Sequence, residues 1–266
     1  MLRRRTSPLS MLLAALAALT VLVPLVPAST ATAAPGAPVA AAPAPRTGVD
    51  VGRPANDSCH DLTLEETARR SDPDPAVSCD GRYTSRTHVV RTVPNRISMT
   101  NTKQLSRFVD RQCSDPYRKL TSTRDEKRLL AATGSVWFTP TRGQISRGAR
   151  WIRCDVVVYG GRALTPITRW QKPLLRALPL HDSLARCMLG ARQQYRVTAC
   201  IRPHQFRAKG TYVLKGKRYP GPKARARQHA RQCPLFTGPT WVAFPPSEEA
   251  FEAGFKRVIC TVKTRR

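Results

Sequence analysis

Eight cysteines in two sets of four constrain the fold of this 266-residue chain more than any other feature. An even number of spaced cysteines is typical of a disulfide framework in an oxidising compartment. The sequence has no CxxC pair and no cysteine–histidine cluster with zinc-ligand spacing, so it predicts disulfides and no metal site. The two sets are Cys59, Cys79, Cys113 and Cys154, then Cys187, Cys200, Cys233 and Cys260.

The same landmarks follow both sets in the same order. The third cysteine ends an RQC tripeptide, a Gly-x-x-Trp segment and a proline follow, and the fourth cysteine closes a Gly-x5-Cys segment. The repeat length of roughly 105 to 130 residues exceeds the 20 to 50 typical of solenoid repeats. We therefore predict two tandem domains, residues 57–165 and 180–266. The paired landmarks are 111–113 and 231–233, 134–137 and 238–241, and 148–154 and 254–260.

Hydrophobic periodicity indicates a helix and a closing strand in each domain. Apolar residues recur at helical spacing over 101–113, and Pro222 suits the first turn of a helix over 222–233. The residues after Gly148 and after Gly254 alternate in polarity, which is typical of strands. Thr123 and Glu126 also match a capping box for an additional short helix. These patterns predict an α+β fold of two small disulfide-stabilised domains, each with an antiparallel sheet and a packed helix.

The repeat suggests one disulfide pairing among the 105 that eight cysteines allow. Cys113–Cys154 and Cys233–Cys260 would join helix to strand, which leaves Cys59–Cys79 and Cys187–Cys200. Trp137 and Trp241 are expected in the core near these disulfides, with exposed sugar-binding indoles as the alternative.

The N-terminus has the layout of a secretory signal peptide over residues 1–34. Three arginines precede an apolar run over 11–26, and small residues follow. An uncleaved anchor is the alternative, although this 16-residue run is shorter than the about 20 residues that a span needs. Residues 35–56 are rich in Ala and Pro, which predicts a linker. We therefore expect a secreted protein, associated with the cell wall in one interpretation.

The stretches CDGRYTSRTHVV from Cys79 and CIRPHQFRAKGTY from Cys200, each followed by a Cys, a Trp and the Gly-x5-Cys ending, resemble the septum formation domain family of exported actinobacterial proteins. The match to that family's Cys-x-x-Pro-His element is good at 200–204, whereas Tyr83 stands where histidine is expected in the first copy. The resemblance covers about residues 59–266 as two copies. It implies a cell-envelope protein linked to division and no known reaction.

Charge is the strongest functional signal in the sequence. The formal net charge is +28. Residues 35–155 contain 20 basic and 13 acidic side chains, whereas residues 156–266 contain 22 and 4. Such a basic surface attracts polyanions, and Tyr212 and Tyr219 among the cations would suit stacking on bases. The predicted polyanion-binding residues are Lys215, Lys217, Arg218, Lys223, Arg225, Arg227 and Arg231.

No catalytic constellation is evident. His204 is the most suggestive histidine, but Asp182 is the only acid between Val156 and Ser247, and a catalytic base usually needs an orienting carboxylate. We predict no catalytic residue and no cofactor. The expected partners are anionic wall polymers or a membrane surface, together with a division-associated protein. The alternatives are an extracellular nucleic-acid binder and an enzyme of unrecognised type centred on His204.

Overall fold

A computed structural model describes residues 48–190 and 194–264. The predicted signal peptide and residues 35–47 of the predicted linker lie outside these ranges. The strands are β1 (Cys59–His60), β2 (Ser85–Thr92), β3 (Thr133–Phe138), β4 (Trp151–Val158), β5 (Arg186–Leu189), β6 (Arg196–Ala199), β7 (Phe206–Val213), β8 (Val242–Phe244) and β9 (Arg257–Lys263). The helices are α1 (Thr102–Thr121), α2 (Asp125–Leu129), α3 (Arg142–Ser146), α4 (Pro222–Gln232), α5 (Pro234–Thr237) and α6 (Glu248–Glu252), with a 3₁₀ turn at Glu66–Ala68.

The first sheet is antiparallel, in the order β1-β2-β4-β3. All eight residues of the central strand β4 are buried. On one face, Leu105 and Phe108 of α1 pack with Ile152 and Cys154. On the other face, Val157 packs in a separate apolar cluster that includes Leu62 and Phe138. Because both faces are covered, the polar residues of β4 are buried as well.

The helices confirm two of the predicted elements and correct a third. Helix α1 is capped by Asn101, whose side chain accepts a hydrogen bond from the backbone N–H of Gln104 at 3.0 Å. Helix α4 begins at Pro222, as predicted. The capping box predicted at Thr123 is wrong, because α2 begins after Arg124, which makes no side-chain cap.

The second sheet is also antiparallel, in the order β6-β5-β7-β9-β8. The series β7, α4, β8, α6, β9 has the same order of strands and helices as β2, α1, β3, α3, β4. Cys59 lies opposite Arg86 in the first sheet, and Cys187 lies opposite Arg207 in the second. The antiparallel sheets and packed helices confirm the predicted α+β class.

The two tryptophans are not in the same register. Trp137 lies opposite Cys154, whereas Ala243 lies opposite Cys260, so Trp241 precedes the equivalent position by two residues. Both indoles are half-buried, and each packs against the outside of the cluster that contains its half's helix–strand disulfide.

Four disulfides cross-link the fold, and each joins residues within one half. They are the same pairs that the repeat suggests: Cys59–Cys79, Cys113–Cys154, Cys187–Cys200 and Cys233–Cys260. Their Cα–Cα distances of 5.1 to 6.0 Å lie in the usual range for disulfides.

The two halves share their largest apolar cluster. It includes Leu130 and Val158 from the first half and Leu184 and Ala199 from the second. The backbone N–H of Arg186 also donates to the carbonyl of Leu130 at 2.7 Å. The described residues belong to one compact unit, and the domain boundaries at 165 and 180 stay predictions.

The end of the predicted linker packs against the first half. Val51 is buried with Val90 and Trp151, whose indole N–H donates to the Val51 carbonyl at 2.9 Å. The Asn56 side chain accepts a hydrogen bond from the backbone of Val90 at 2.9 Å. Residues 48–56 are therefore part of the folded unit.

Candidate functional site

The predicted polyanion-binding residues lie together on α4 and on the loop that leads into it. Lys215, Lys217 and Arg218 are exposed on this loop. The loop is tied to α4 because the side chain of Gln228 accepts from the backbone N–H of Lys215 at 2.8 Å and donates to its carbonyl at 2.9 Å. The structure therefore gathers these cations into one surface, which we call the α4 surface.

Three of the cations form a stripe along α4. Lys223, Arg227 and Arg231 follow one another at intervals of four residues, and all three are exposed. Residues four apart lie on the same face of a helix, about 6 Å apart along its axis. The stripe thus presents three positive charges over about 12 Å, which suits a linear ligand with repeated negative charges.

No acidic side chain lies within 4 Å of the cations of the α4 surface in the described part of the chain. Arg225 differs from the other six predicted residues. It is half-buried, its guanidinium lies 4.5 Å from the ring centroid of Tyr219, and its Nη1 donates to the carbonyl of Pro220 at 2.6 Å. Arg225 therefore holds the loop in place, and the other six cations remain open to a ligand.

The two tyrosines expected to stack on bases are occupied within the fold. Tyr212 is buried, and its hydroxyl hydrogen-bonds to Nδ1 of His229. Burial raises the pKa of Tyr212 to about 12. Tyr219 donates to the carbonyl of Pro246 at 2.8 Å, and its ring packs against Phe251. The expectation that Tyr212 stacks on bases is therefore wrong, because its ring belongs to the core.

His204 lies in a turn and is 4% exposed. Its Nδ1 is 2.7 Å from the carbonyl oxygen of Arg202, two residues earlier in the chain. The acid of this region, Asp182, lies 2.6 Å from Arg207. The hydrogen bond of His204 to its own turn is the contact expected of a structural histidine.

A buried polar network under the first sheet was not predicted. The Nη2 atom of Arg153 lies 2.8 Å from Asp72 and 2.9 Å from Asp155. Asp155 also accepts hydrogen bonds from Ser85 and Thr87, each at 2.9 Å. Apart from Asp72, the residues of this cluster lie on strands β2 and β4. In the sequence they alternate with apolar residues, which is the pattern of a strand with one face in solvent.

The same network brings Ser58, His60 and Asp72 into an order that resembles a hydrolase triad. Ser58 Oγ is 3.1 Å from His60 Nε2, but His60 Nδ1 is 3.6 Å from Asp72, which is too long for a hydrogen bond. Nδ1 is instead 3.3 Å from an Nη1 nitrogen of Arg153. Because arginine only donates, Nδ1 accepts and the proton of neutral His60 is on Nε2, facing the serine. This imidazole cannot take a proton from Ser58.

Burial lowers the pKa of His60, and the positive charge of Arg153 lowers it further, against the opposing carboxylates. The neutral, 3% exposed imidazole therefore donates to Ser58 through Nε2 and accepts from Arg153 through Nδ1. We interpret the network as the anchor of the segment that carries the Cys59–Cys79 disulfide.

Two clefts open on the first half. The larger, about 400 Å³, lies between the 3₁₀ turn and the edge strand β3. The smaller, about 230 Å³, is lined by Asp57, His88, Lys119, Leu120, Trp170 and Lys172. Neither cleft includes His204 or a residue of the α4 surface. In the larger cleft, Arg70 is held by Thr102 and by the carbonyl of Met99.

The described residues contain no group of three or more His, Cys, Asp or Glu side chains that is placed to hold a metal ion. Over residues 48–190 and 194–264, no helix combines the length and the apolar character that crossing a membrane requires.

A family model described as Septum formation matches residues 58–238, which is well over half of the chain. The protein therefore belongs to the Septum formation family, and it is a cell-envelope protein of the septum-formation type. The matched range includes residues of both halves and ends before β8. Comparison with curated proteins and with solved structures found no match.

Proposed function

We propose that this protein is a non-catalytic, secreted envelope protein that attaches to anionic polymers through the α4 surface. The observation that carries the proposal is the stripe of Lys223, Arg227 and Arg231, exposed at one-turn spacing with no acid within 4 Å among the described residues. The loop cations Lys215 and Lys217 extend this positive surface beyond the start of the helix.

The ligand is a chain of phosphate or carboxylate groups. Arginine binds phosphate and carboxylate through two parallel hydrogen bonds, and the stripe contains two arginines. Outside a cell these groups occur in wall polymers and in the headgroups of anionic lipids. Both sources share the chemistry that the stripe recognises, so the experiment must separate them.

Co-sedimentation of the full-length mature protein tests the proposal. Binding would be measured on wall sacculi before and after removal of their anionic polymers, and on vesicles with and without anionic lipid, across a salt series. Binding that is lost on stripping identifies the wall polymer, and binding to anionic vesicles alone identifies the membrane. Each neutralised contact adds roughly 0.7 to 0.9 to the slope of log affinity against log salt for nucleic acids, and a similar slope is expected here.

The triple variant K223Q/R227Q/R231Q should lower this salt slope by about 2 to 3. Its matched control is R82Q/R96Q/R142Q, which removes three exposed cations of the first half and changes the net charge by the same amount. An equal loss of binding in both variants would show that binding depends on the overall net charge and not on the α4 surface. Binding to duplex DNA as tight as to any wall or lipid preparation would favour the nucleic-acid alternative.

We also propose that the two halves of the chain arose by duplication. The shared order of strands and helices and the equivalent positions of Cys59 and Cys187 support it. Residues 1–34 would serve as the signal peptide, and N-terminal sequencing of the exported protein tests this. A mature N-terminus upstream of residue 33 would contradict cleavage at the predicted site.

A further inference from the structure

Helix α1 carries a stripe of cations equivalent to that of α4. We propose that Lys103, Arg107 and Arg111 form a second anion-binding site for the same class of polymer. This inference rests on the proposed function, because it assigns a second contact to the same ligand. The net charge of the first half does not single out these residues, although the spacing Lys-x3-Arg-x3-Arg-Gln-Cys occurs in both helices.

The geometry of the two stripes is the same. Lys103, Arg107 and Arg111 are four residues apart on a regular helix, and all three are exposed. Within the described residues, none of the three has an acidic side chain within 4 Å. In each helix the stripe ends two residues before the cysteine that is bonded to the closing strand of its sheet.

The two helices share the three stripe cations although most of their other residues differ. From Lys103 to Cys113 and from Lys223 to Cys233, the identical positions are the three stripe cations and the final Gln-Cys pair. Buried Leu105 and Phe108 of α1 stand where α4 has Arg225 and Gln228. Surface positions ordinarily tolerate substitution more readily than core positions do. Apart from the disulfide cysteine, the positions that α1 buries differ in α4, whereas the exposed cations are the same, which indicates a shared requirement at the surface.

The α1 site should bind more weakly than the α4 site. Asp110 and Asp115 are exposed on α1, whereas α4 contains no acid. A carboxylate near a cation stripe opposes the approach of an anionic ligand by Coulomb repulsion, which salt screens over about 10 Å at 0.1 M. The higher net charge of the second half also favours anion binding at α4 over anion binding at α1.

The number of bound chains per protein tests the second site. The probe is inorganic polyphosphate of about five phosphates, whose extended length of roughly 12 Å matches one stripe. Titration calorimetry of the full-length protein at low salt should give two bound probes. K103Q/R107Q/R111Q and K223Q/R227Q/R231Q should each give one, and R82Q/R96Q/R142Q should still give two. Glutamine is nearly as favourable in helices as the residues it replaces, and circular dichroism checks the fold of each variant.

A long polyphosphate provides an independent measurement. If both stripes engage one chain, loss of either stripe lowers affinity by more than about tenfold, because the second contact is intramolecular. One bound short probe in the wild type, lost only in the α4 variant, would overturn the second site and leave the proposed function intact. If neither stripe variant loses a bound probe, both the second site and the proposed function would be overturned.

Discussion

The guanidinium of Arg153 lies 2.9 Å from the carboxylate of Asp155, two residues along the same strand, and both side chains are buried. Asp155 also accepts hydrogen bonds from Ser85 and Thr87, and Arg153 keeps Asp72 as a second carboxylate partner. Because asparagine has a single accepting oxygen, Asp155→Asn leaves a buried donor without its acceptor, and we expect it to lower the free energy of unfolding by about 1 to 3 kcal/mol. Urea denaturation followed by circular dichroism measures this change.

Asp57→Asn is the matched control for that variant. Asp57 lies 3.1 Å from Lys172, but both side chains are about half exposed. Exposed ion pairs contribute at most about 1 kcal/mol, so this variant should be close to wild type. Equal effects of the two substitutions would contradict the role given to the buried network.

Lowering the pH from 6.5 towards 4 should destabilise the protein, because His88 is protonated more readily in the unfolded chain than in the fold. Burial lowers the pKa of this imidazole from 6.5 to about 4, and Arg91 adds to the effect. Unfolding therefore takes up a proton between these values, and stability falls as the pH drops from 6.5 towards 4. His88→Gln should flatten this dependence between pH 6.5 and 5. His60 and His229, whose pKa values are also lowered by burial, should account for the remaining slope there. An unchanged pH profile in the variant would contradict this assignment.

The disulfides should differ in their contribution to stability. Loop-closure entropy predicts about 4 kcal/mol for Cys113–Cys154, which closes 41 residues, and about 3 kcal/mol for Cys187–Cys200, which closes 13. Paired Cys→Ser variants, compared by urea denaturation, measure the order. The opposite order would show that chain entropy does not dominate.

Tyr212→Phe distinguishes a core tyrosine from a base-stacking one. The variant removes the hydrogen bond to His229 and should cost about 1 kcal/mol of stability. Its affinity for polyphosphate and for single-stranded DNA should stay within about twofold of wild type, whereas loss of a stacking contact would cost about 1 to 3 kcal/mol per base. Filter-binding titrations measure both affinities.

The cysteine spacing and the helix–strand landmarks were sufficient to predict the α+β class and the disulfide pairs, because each pair closes a short segment within one half. The α4 surface was predictable for a similar reason. Its cations are close in sequence, and one helix with its preceding loop keeps them close in space.

The buried network was not predictable from the same signals. Arg153 and Asp155 alternate with apolar residues, and such alternation normally means one face in solvent. Here the segment containing Leu62 and Asp72 covers that face, and this contact depends on residues about 80 to 90 positions away. The shared core was not predictable either, since Leu130 and Leu184 lie 54 positions apart in different halves of the chain.

Because the largest apolar cluster takes side chains from both halves, neither half could be expressed alone without exposing leucine and valine surface to water. Because the two halves share this core, thermal unfolding of the protein should show one calorimetric peak. Any duplicated ancestor that folded by itself must have covered that surface differently, for example by pairing with a second copy of itself.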